Sequence, residues 1–109
     1  MKKALLIGIN NYPNGNELKG CIEDIYCLKS AIERNGNGSP NFDVKLLPDA
    51  QTSEEVMNSI EQLFNGNADT SLLYFSGHGF VNTIGAEIVM PQDIINRGSY
   101  YKGLQMKDI

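Results

Sequence analysis

A histidine flanked by glycines is the feature of this sequence best suited to chemistry. Residues 76–79 read Ser76-Gly77-His78-Gly79 and follow an apolar run, residues 71–75, that predicts a buried strand. An imidazole at a strand end is well placed to act as a general base or as the partner of a thiolate. The glycines remove side chains that would crowd a substrate and permit unusual backbone angles. Position alone is equally compatible with a histidine that only caps the strand.

The two cysteines, Cys21 and Cys27, are weaker candidates for a nucleophile. Both fall on one predicted helix, where a spacing of six residues separates them by more than a turn, too far for a disulfide. Cys21 shares an apolar stripe with Ile25 and Leu28, which favours packing, and Cys27 is expected to be ordinary helix filler. With one histidine in the chain, neither cysteine has the partners of a zinc site. Reduced thiols and the lack of a secretion signal favour the cytoplasm.

Length and charge exclude several classes of function. The chain has 109 residues, which suits one small domain, and a formal net charge of −4. Nucleic acids and anionic membrane surfaces both require a basic face, so neither is an expected partner. No apolar run approaches the ~20 residues that cross a bilayer. The short apolar run after Lys2 and Lys3 predicts a first strand rather than a signal peptide.

The elements that must position these residues alternate along the chain. The patterns predict strands at 3–9, 44–47, 71–75 and 87–90, and helices at about 21–35 and 53–64. Such alternation is typical of an α/β fold with a mostly parallel sheet flanked by helices. Ligands of such sheets bind beyond the carboxyl ends of the strands, where His78 falls. Residues 94–103 are expected to form a loop, and residues 104–109 look like the start of another helix.

The second helix carries its own start signal. Residues 52–55, Thr52-Ser53-Glu54-Glu55, form the pattern of a capping box, in which the Thr52 hydroxyl takes a free N–H and Glu55 reaches back. An apolar stripe follows it, made of Val56, Ile60, Leu63 and Phe64. The first and third strands are apolar throughout, as expected for strands covered on both faces.

Four segments in order resemble the caspase and metacaspase family of cysteine peptidases. Residues 4–12 are similar to the start of the metacaspase large subunit, and residues 18–24 to its L-x-G-C-x-N-D segment. Residues 72–79 resemble the strand that carries the catalytic histidine, and residues 88–93 the later v-x-P-x-D segment. Residues 104–109 look like the short helix after it. Glu23 departs from the family's Asn, yet the resemblance covers nearly the whole chain.

The resemblance implies roles for single residues. His78 would be the catalytic histidine, and the Gly79 N–H would be one donor of the oxyanion hole. Asp24 and Ser76 would line the pocket for a basic P1 side chain. In this family the nucleophilic cysteine lies ~50 residues after the histidine, which falls beyond Ile109. Residues 1–109 would therefore be the N-terminal part of an incomplete caspase-like domain, with the remaining C-terminal part and a protein or peptide substrate as partners.

Calcium activates many metacaspases, which draws attention to Asp93. Because Asp93 lacks the neighbouring acidic residues that a calcium site needs, no metal or other cofactor is expected.

The expected function is that of a cysteine endopeptidase cleaving after Arg or Lys. Aspartate-cleaving caspases place an Arg just after the first strand, whereas residues 8–12 here contain no cation. The alternative is a non-catalytic caspase-like module that acts in assembly or signalling. A cysteine after the next predicted strand of the parent sequence would favour the peptidase.

Overall fold

Five elements build the core of the fold. The computed structural model describes residues 1–13, 15–81, 86–91, 94–96, 99–100 and 104–105. The five elements are β1 Lys2–Gly8, α1 Cys21–Ile32, β2 Phe42–Pro48, α2 Ser53–Phe64 and β3 Thr70–Ser76. This order confirms the predicted alternation of strands and helices. The first helix ends three residues earlier than predicted, at Ile32.

The three long strands form one parallel sheet in the order β2-β1-β3. β1 lies in the centre, with Gly8 opposite Pro48 of β2 on one side and opposite Ser76 of β3 on the other. Each helix is the crossover between two parallel strands, which confirms the predicted α/β class. Because the strands run in one direction, the residues that follow Gly8, Pro48 and Ser76 gather at one edge of the sheet.

The two helices cover opposite faces of the sheet. Leu5 and Ile7 of β1 belong to the buried cluster that contains the α2 residues. Ala4 and Leu6 form a second cluster with Ile25 of α1. β1 is therefore covered on both faces, as predicted. The β3 side chains from Leu72 onward are only half-buried, because β3 lies at the edge of the described sheet.

The capping interaction of α2 differs in one detail from the prediction. Thr52 Oγ1 accepts a hydrogen bond from the Glu55 N–H at 3.2 Å, as expected. The Glu55 carboxylate accepts from the Gln51 N–H rather than from that of Thr52. Phe64, predicted on the apolar stripe, is 55% exposed, because it follows Leu63 at the last turn and faces away from the sheet side. No helix in the described ranges is long and apolar enough to cross a membrane.

The last part of the chain forms short antiparallel strands. They are β4 Gly79–Val81, β5 Ala86–Ile88, β6 Ile94–Asn96, β7 Ser99–Tyr100 and β8 Leu104–Gln105. They pair as β4-β5-β8 and as β6-β7.

Two sequence predictions for this region are wrong, and a third, the strand expected at 87–90, is confirmed with different bounds. The loop expected at 94–103 contains β6 and β7, and the strand expected at 87–90 is β5, which ends at Ile88. The helix expected from Leu104 begins instead as strand β8, because Leu104 pairs with Ile88. Pairing with a distant strand therefore outweighs the local helical preference of this segment. Residues 106–109 lie outside the described part of the chain.

Candidate active site

The candidate site lies where β1 and β3 end side by side. The Ile9 N–H donates to the Ser76 carbonyl oxygen at 3.0 Å, which continues the pairing beyond Gly8. β1 leads into a loop, of which residues 9–13 and 15–20 are described, and then into α1. β3 leads directly into Gly77 and His78. The parallel register thus brings the start of α1, the loop and the histidine to one edge, as the topology predicts.

Asp24 and Ser76 meet at this edge although 52 residues separate them. The Ser76 hydroxyl donates to Asp24 Oδ2 at 3.0 Å. Ser76 is half-buried, whereas Asp24 lies exposed in the first turn of α1, where the helix dipole favours a carboxylate. Asp24 forms no ion pair with any residue in the described ranges. The arrangement presents a carboxylate, oriented by a hydroxyl, that can receive a cation.

Close packing of α1 on β1 makes this contact possible. A Cβ atom at Gly8 would lie 2.5 Å from the Cys21 carbonyl oxygen. Gly20 provides no side-chain cap for the helix. The cap comes instead from the loop, since Asn10 Oδ1 accepts from the Cys21 N–H at 2.9 Å and from the Ile22 N–H at 3.3 Å.

The His78 imidazole has a defined hydrogen-bond partner. Nε2 lies 2.7 Å from the backbone carbonyl oxygen of Asn16. A carbonyl oxygen only accepts, so Nε2 carries the proton. In the neutral ring the lone pair then lies on Nδ1. The half-buried imidazole, when neutral, is therefore the Nε2–H tautomer, and Nδ1 is the nitrogen that can accept a proton.

Tyr12, from the loop, contacts both the backbone and the ring of His78. Its hydroxyl accepts from the His78 N–H at 3.0 Å and donates to the Val89 carbonyl oxygen at 2.7 Å. The Val89 N–H in turn donates to the His78 carbonyl oxygen at 2.9 Å. The Tyr12 ring meets the imidazole edge to face, with centroids 4.4 Å apart. The histidine is thus held through both its backbone and its ring.

The glycines around His78 have different surroundings. A Cβ atom at Gly77 would lie 2.6 Å from the Tyr12 hydroxyl and 2.7 Å from Cζ of Phe75. Gly77 is therefore required by the approach of Tyr12, a reason that the sequence did not reveal. Gly79 is exposed at the start of β4.

Neither cysteine forms the partner of His78 in the described structure. Both thiols are free, with Cys21 buried and Cys27 exposed. The burial of Cys21 agrees with the packing role expected for it. The described ranges contain no group of three or more potential metal-ligating side chains. Asp93, the residue considered for calcium, lies outside those ranges.

Sequence reasoning missed the residues that hold the loop. Asp49 adopts a positive φ of 53° just after β2. Its Oδ1 accepts from the N–H groups of Asn10 and Asn11 at 2.9 and 3.1 Å, and its Oδ2 accepts from Asn11 Nδ2. One signal was present, since Asp49 and Asn10 both follow predicted strands and must meet at one edge. Tyr12 and Asn16 carried no comparable signal.

Comparisons with known proteins identify the family to which the sequence is similar. Residues 1–105 match the family model described as the caspase domain, Peptidase_C14. Metacaspase-1 of Candida albicans is 37% identical over an 86-residue alignment that covers 72% of this chain and 19% of that protein. Metacaspase-6 of Arabidopsis thaliana is 34% identical over an 89-residue alignment that covers 72% of this chain and 23% of that protein.

This chain is much shorter than the curated relatives it matches. Metacaspase-1 of Meyerozyma guilliermondii is 33% identical over an 87-residue alignment that covers 72% of this chain and 21% of that protein. The chain thus spans about a fifth of the length of the curated relatives it matches. No solved structure matches it at a significant level.

Proposed function

The chain belongs to the caspase-domain family of cysteine peptidases, and from this we propose that it supplies the histidine half of a Cys-His endopeptidase that cleaves after Arg or Lys. The observation that carries the proposal is the His78 imidazole, held by the Asn16 carbonyl oxygen at 2.7 Å with Nδ1 left to accept a proton. Residues 1–109 form the N-terminal part of the peptidase domain, and the nucleophilic cysteine comes from the part that follows in the parent protein.

His78 acts first as a base and then as an acid. Nδ1 takes the proton of the cysteine thiol, and the thiolate attacks the scissile carbonyl carbon of a protein substrate. The Gly79 N–H, next to the histidine, donates to the oxyanion that forms. The imidazolium then protonates the leaving amine as the C–N bond breaks. Water hydrolyses the resulting thioester and restores the thiol, with His78 again accepting and returning a proton.

Asp24 and Ser76 recognise the residue before the scissile bond. The Asp24 carboxylate has no cationic partner in the described ranges, and the Ser76 hydroxyl orients it. A substrate guanidinium or ammonium supplies the missing positive charge. Hydrogen bonds of this charge-assisted kind contribute about 1.5–3 kcal/mol each. An Asp side chain at the same position would face a like charge.

Loss of the imidazole tests the catalytic role. His78→Ala in the parent peptidase should lower turnover by several orders of magnitude, in line with the ~10²–10⁴-fold typical of general acid–base groups. Folding should persist, because the backbone bonds of His78 to Tyr12 and Val89 do not involve the imidazole. Near-normal cleavage by this variant would refute the assignment. Complete inactivity of the unmodified parent protein would instead support the non-catalytic module.

Peptide preference tests the specificity separately. Fluorogenic peptides ending in Arg, Lys and Asp are compared on the unmodified protein and on Asp24→Asn. We expect the variant to lose about 10- to 100-fold in kcat/KM on the Arg peptide, the equivalent of one such hydrogen bond. Glu23→Gln is the matched control, since it removes the same charge from the adjacent exposed residue and should change kcat/KM less than twofold. Preference for the Asp peptide would contradict the proposed specificity.

A further inference from the structure

Tyr12 is a buried polar residue whose hydroxyl joins two distant segments. Only 2% of the residue is exposed. The hydroxyl lies between the His78 N–H, at 3.0 Å, and the Val89 carbonyl oxygen, at 2.7 Å. One hydroxyl thus accepts from a partly buried backbone N–H and donates to a buried backbone carbonyl oxygen. These bonds hold the backbone of His78 through Tyr12 and Val89, which belong to neither β3 nor β4.

The ring of Tyr12 adds a second constraint, on the imidazole itself. The two rings meet at an interplanar angle of 70° with centroids 4.4 Å apart, an arrangement that aromatic pairs favour. The third constraint is the Asn16 carbonyl oxygen at Nε2. Tyr12 and Asn16 belong to the same loop between β1 and α1, so one loop determines both the position of the imidazole and which of its nitrogens carries the proton.

The loop that carries Tyr12 is itself firmly anchored. The Asn10 carbonyl oxygen accepts from the Tyr12 N–H at 3.0 Å and from the Leu18 N–H at 2.8 Å, which closes the loop on itself. The Asp49 carboxylate binds the N–H groups of Asn10 and Asn11 at the end of β2. Displacement of Tyr12 therefore costs several hydrogen bonds, and its hydroxyl acts as a fixed reference point for the histidine.

We propose that Tyr12 is a positioning residue that holds His78 with Nε2 on the Asn16 carbonyl oxygen, so that Nδ1 alone is available for proton transfer. Its effect on catalysis rests on the function proposed above, whereas its effect on the imidazole does not. The hydroxyl, rather than the ring, is the essential group. Tyr12→Phe retains the ring and leaves the His78 N–H and the Val89 carbonyl oxygen without this partner.

The chain is favourable for a direct test because His78 is its only histidine. The ¹⁵N chemical shifts of the imidazole, measured on the 109-residue chain where the ring is neutral, report the tautomer without assignment ambiguity. We expect the Nε2–H form to dominate in the unmodified chain. Tyr12→Phe should give a mixture of both tautomers and make exchange of the His78 amide proton at least tenfold faster. The amide of Leu6, in the centre of β1, should keep its exchange rate.

Tyr26→Phe is the matched control, because it removes a hydroxyl from a tyrosine that is 52% exposed on α1. Its tautomer and His78 exchange rate should equal those of the unmodified chain. A folded Tyr12→Phe with an unchanged tautomer and exchange rate would overturn the proposal. If that variant fails to fold, the unmodified chain still tests the proposal by itself. A dominant Nδ1–H form there, or a His78 amide that exchanges as fast as an exposed one, overturns the proposal equally.

Activity measurements separate this proposal from the proposed function. In the parent peptidase, Tyr12→Phe should lower kcat at least tenfold with KM nearly unchanged, because the Tyr12 hydroxyl bonds the backbone of His78 and Val89, whereas Ser76 orients Asp24. A tautomer change with no peptidase activity in the unmodified protein would retain the positioning role and refute the proposed function. If the parent protein is an active peptidase and Tyr12→Phe changes neither kcat nor the tautomer, the proposed function is retained and the positioning role is refuted.

Discussion

Gly8→Ala is expected to push α1 away from the sheet. The added Cβ atom would lie 2.5 Å from the Cys21 carbonyl oxygen, 3.0 Å from the Cys21 carbonyl carbon and 3.2 Å from Cδ1 of Ile25. All three atoms belong to the N-terminal part of α1. The two closest are backbone atoms, so no change of rotamer can relieve the contact. The helix start must move by about 1 Å to restore ordinary van der Waals distances, and closely packed interiors resist such shifts.

The size of the effect follows from that geometry. Overpacking of a core costs about 1–3 kcal/mol, and the rigid backbone obstacle places Gly8→Ala near the upper end. For a domain of this size, about 2–3 kcal/mol corresponds to a fall in Tm of roughly 10–20 °C. The same movement carries Asp24 away from Ser76 and lengthens their 3.0 Å hydrogen bond. The variant should therefore also lose part of its kcat/KM on an Arg peptide in the parent protein.

Thermal and urea unfolding of the isolated chain measure the first effect. Gly36→Ala is the matched control, since no atom lies within 4 Å of the Cβ position there. That control should be neutral or more stable by a few tenths of a kcal/mol, because alanine restricts the unfolded chain. Equal unfolding midpoints for Gly8→Ala and Gly36→Ala would refute the close-packing argument for α1 on β1.

Three further outcomes are expected. Thr52→Ala should lower the free energy of unfolding by about 1 kcal/mol in urea titrations, because it removes the cap of the Glu55 N–H, while Thr52→Ser should retain most of it. The isolated chain should be dimeric at micromolar concentration, since β3 is an edge strand of the described sheet with half-buried apolar side chains, and a stable monomer in light scattering would contradict this. The isolated chain should hydrolyse no peptide, and cleavage that Cys21→Ala abolishes would show that the nucleophile had been misplaced.

Much of the fold could be predicted because its signals are local. The continuous apolar run of β1 and the helical spacing of Cys21, Ile25 and Leu28 predicted elements that the structure contains. The Thr52 hydroxyl was predicted to cap α2 from four consecutive residues. The C-terminal segment shows the limit of such signals. Leu104 has the local pattern of a helix start, but its pairing with Ile88 makes it part of a strand.

The candidate site likewise contains residues that the sequence predicts and a contact that only the fold decides. His78 was recognisable from its glycines and its place after a buried strand, and Asp24 and Ser76 came from the family resemblance. That the last two share a hydrogen bond was decided by the parallel register, which sets Gly8 opposite Ser76 and lets α1 begin beside β3.

What the sequence determined by itself is the alternation of elements and the residue types at the strand ends, because periodicity and caps act between near neighbours. Only the tertiary structure decided which loop residues hold the histidine. Tyr12 and Val89 lie 77 residues apart, and Tyr12 and His78 lie 66 apart. A hydroxyl in an irregular loop belongs to no periodic sequence pattern from which its hydrogen-bond partner could be predicted. The bonds of the Tyr12 hydroxyl exist because the parallel sheet brings the end of β1 beside the end of β3. There the partly buried His78 N–H needs an acceptor and the buried Val89 carbonyl oxygen needs a donor.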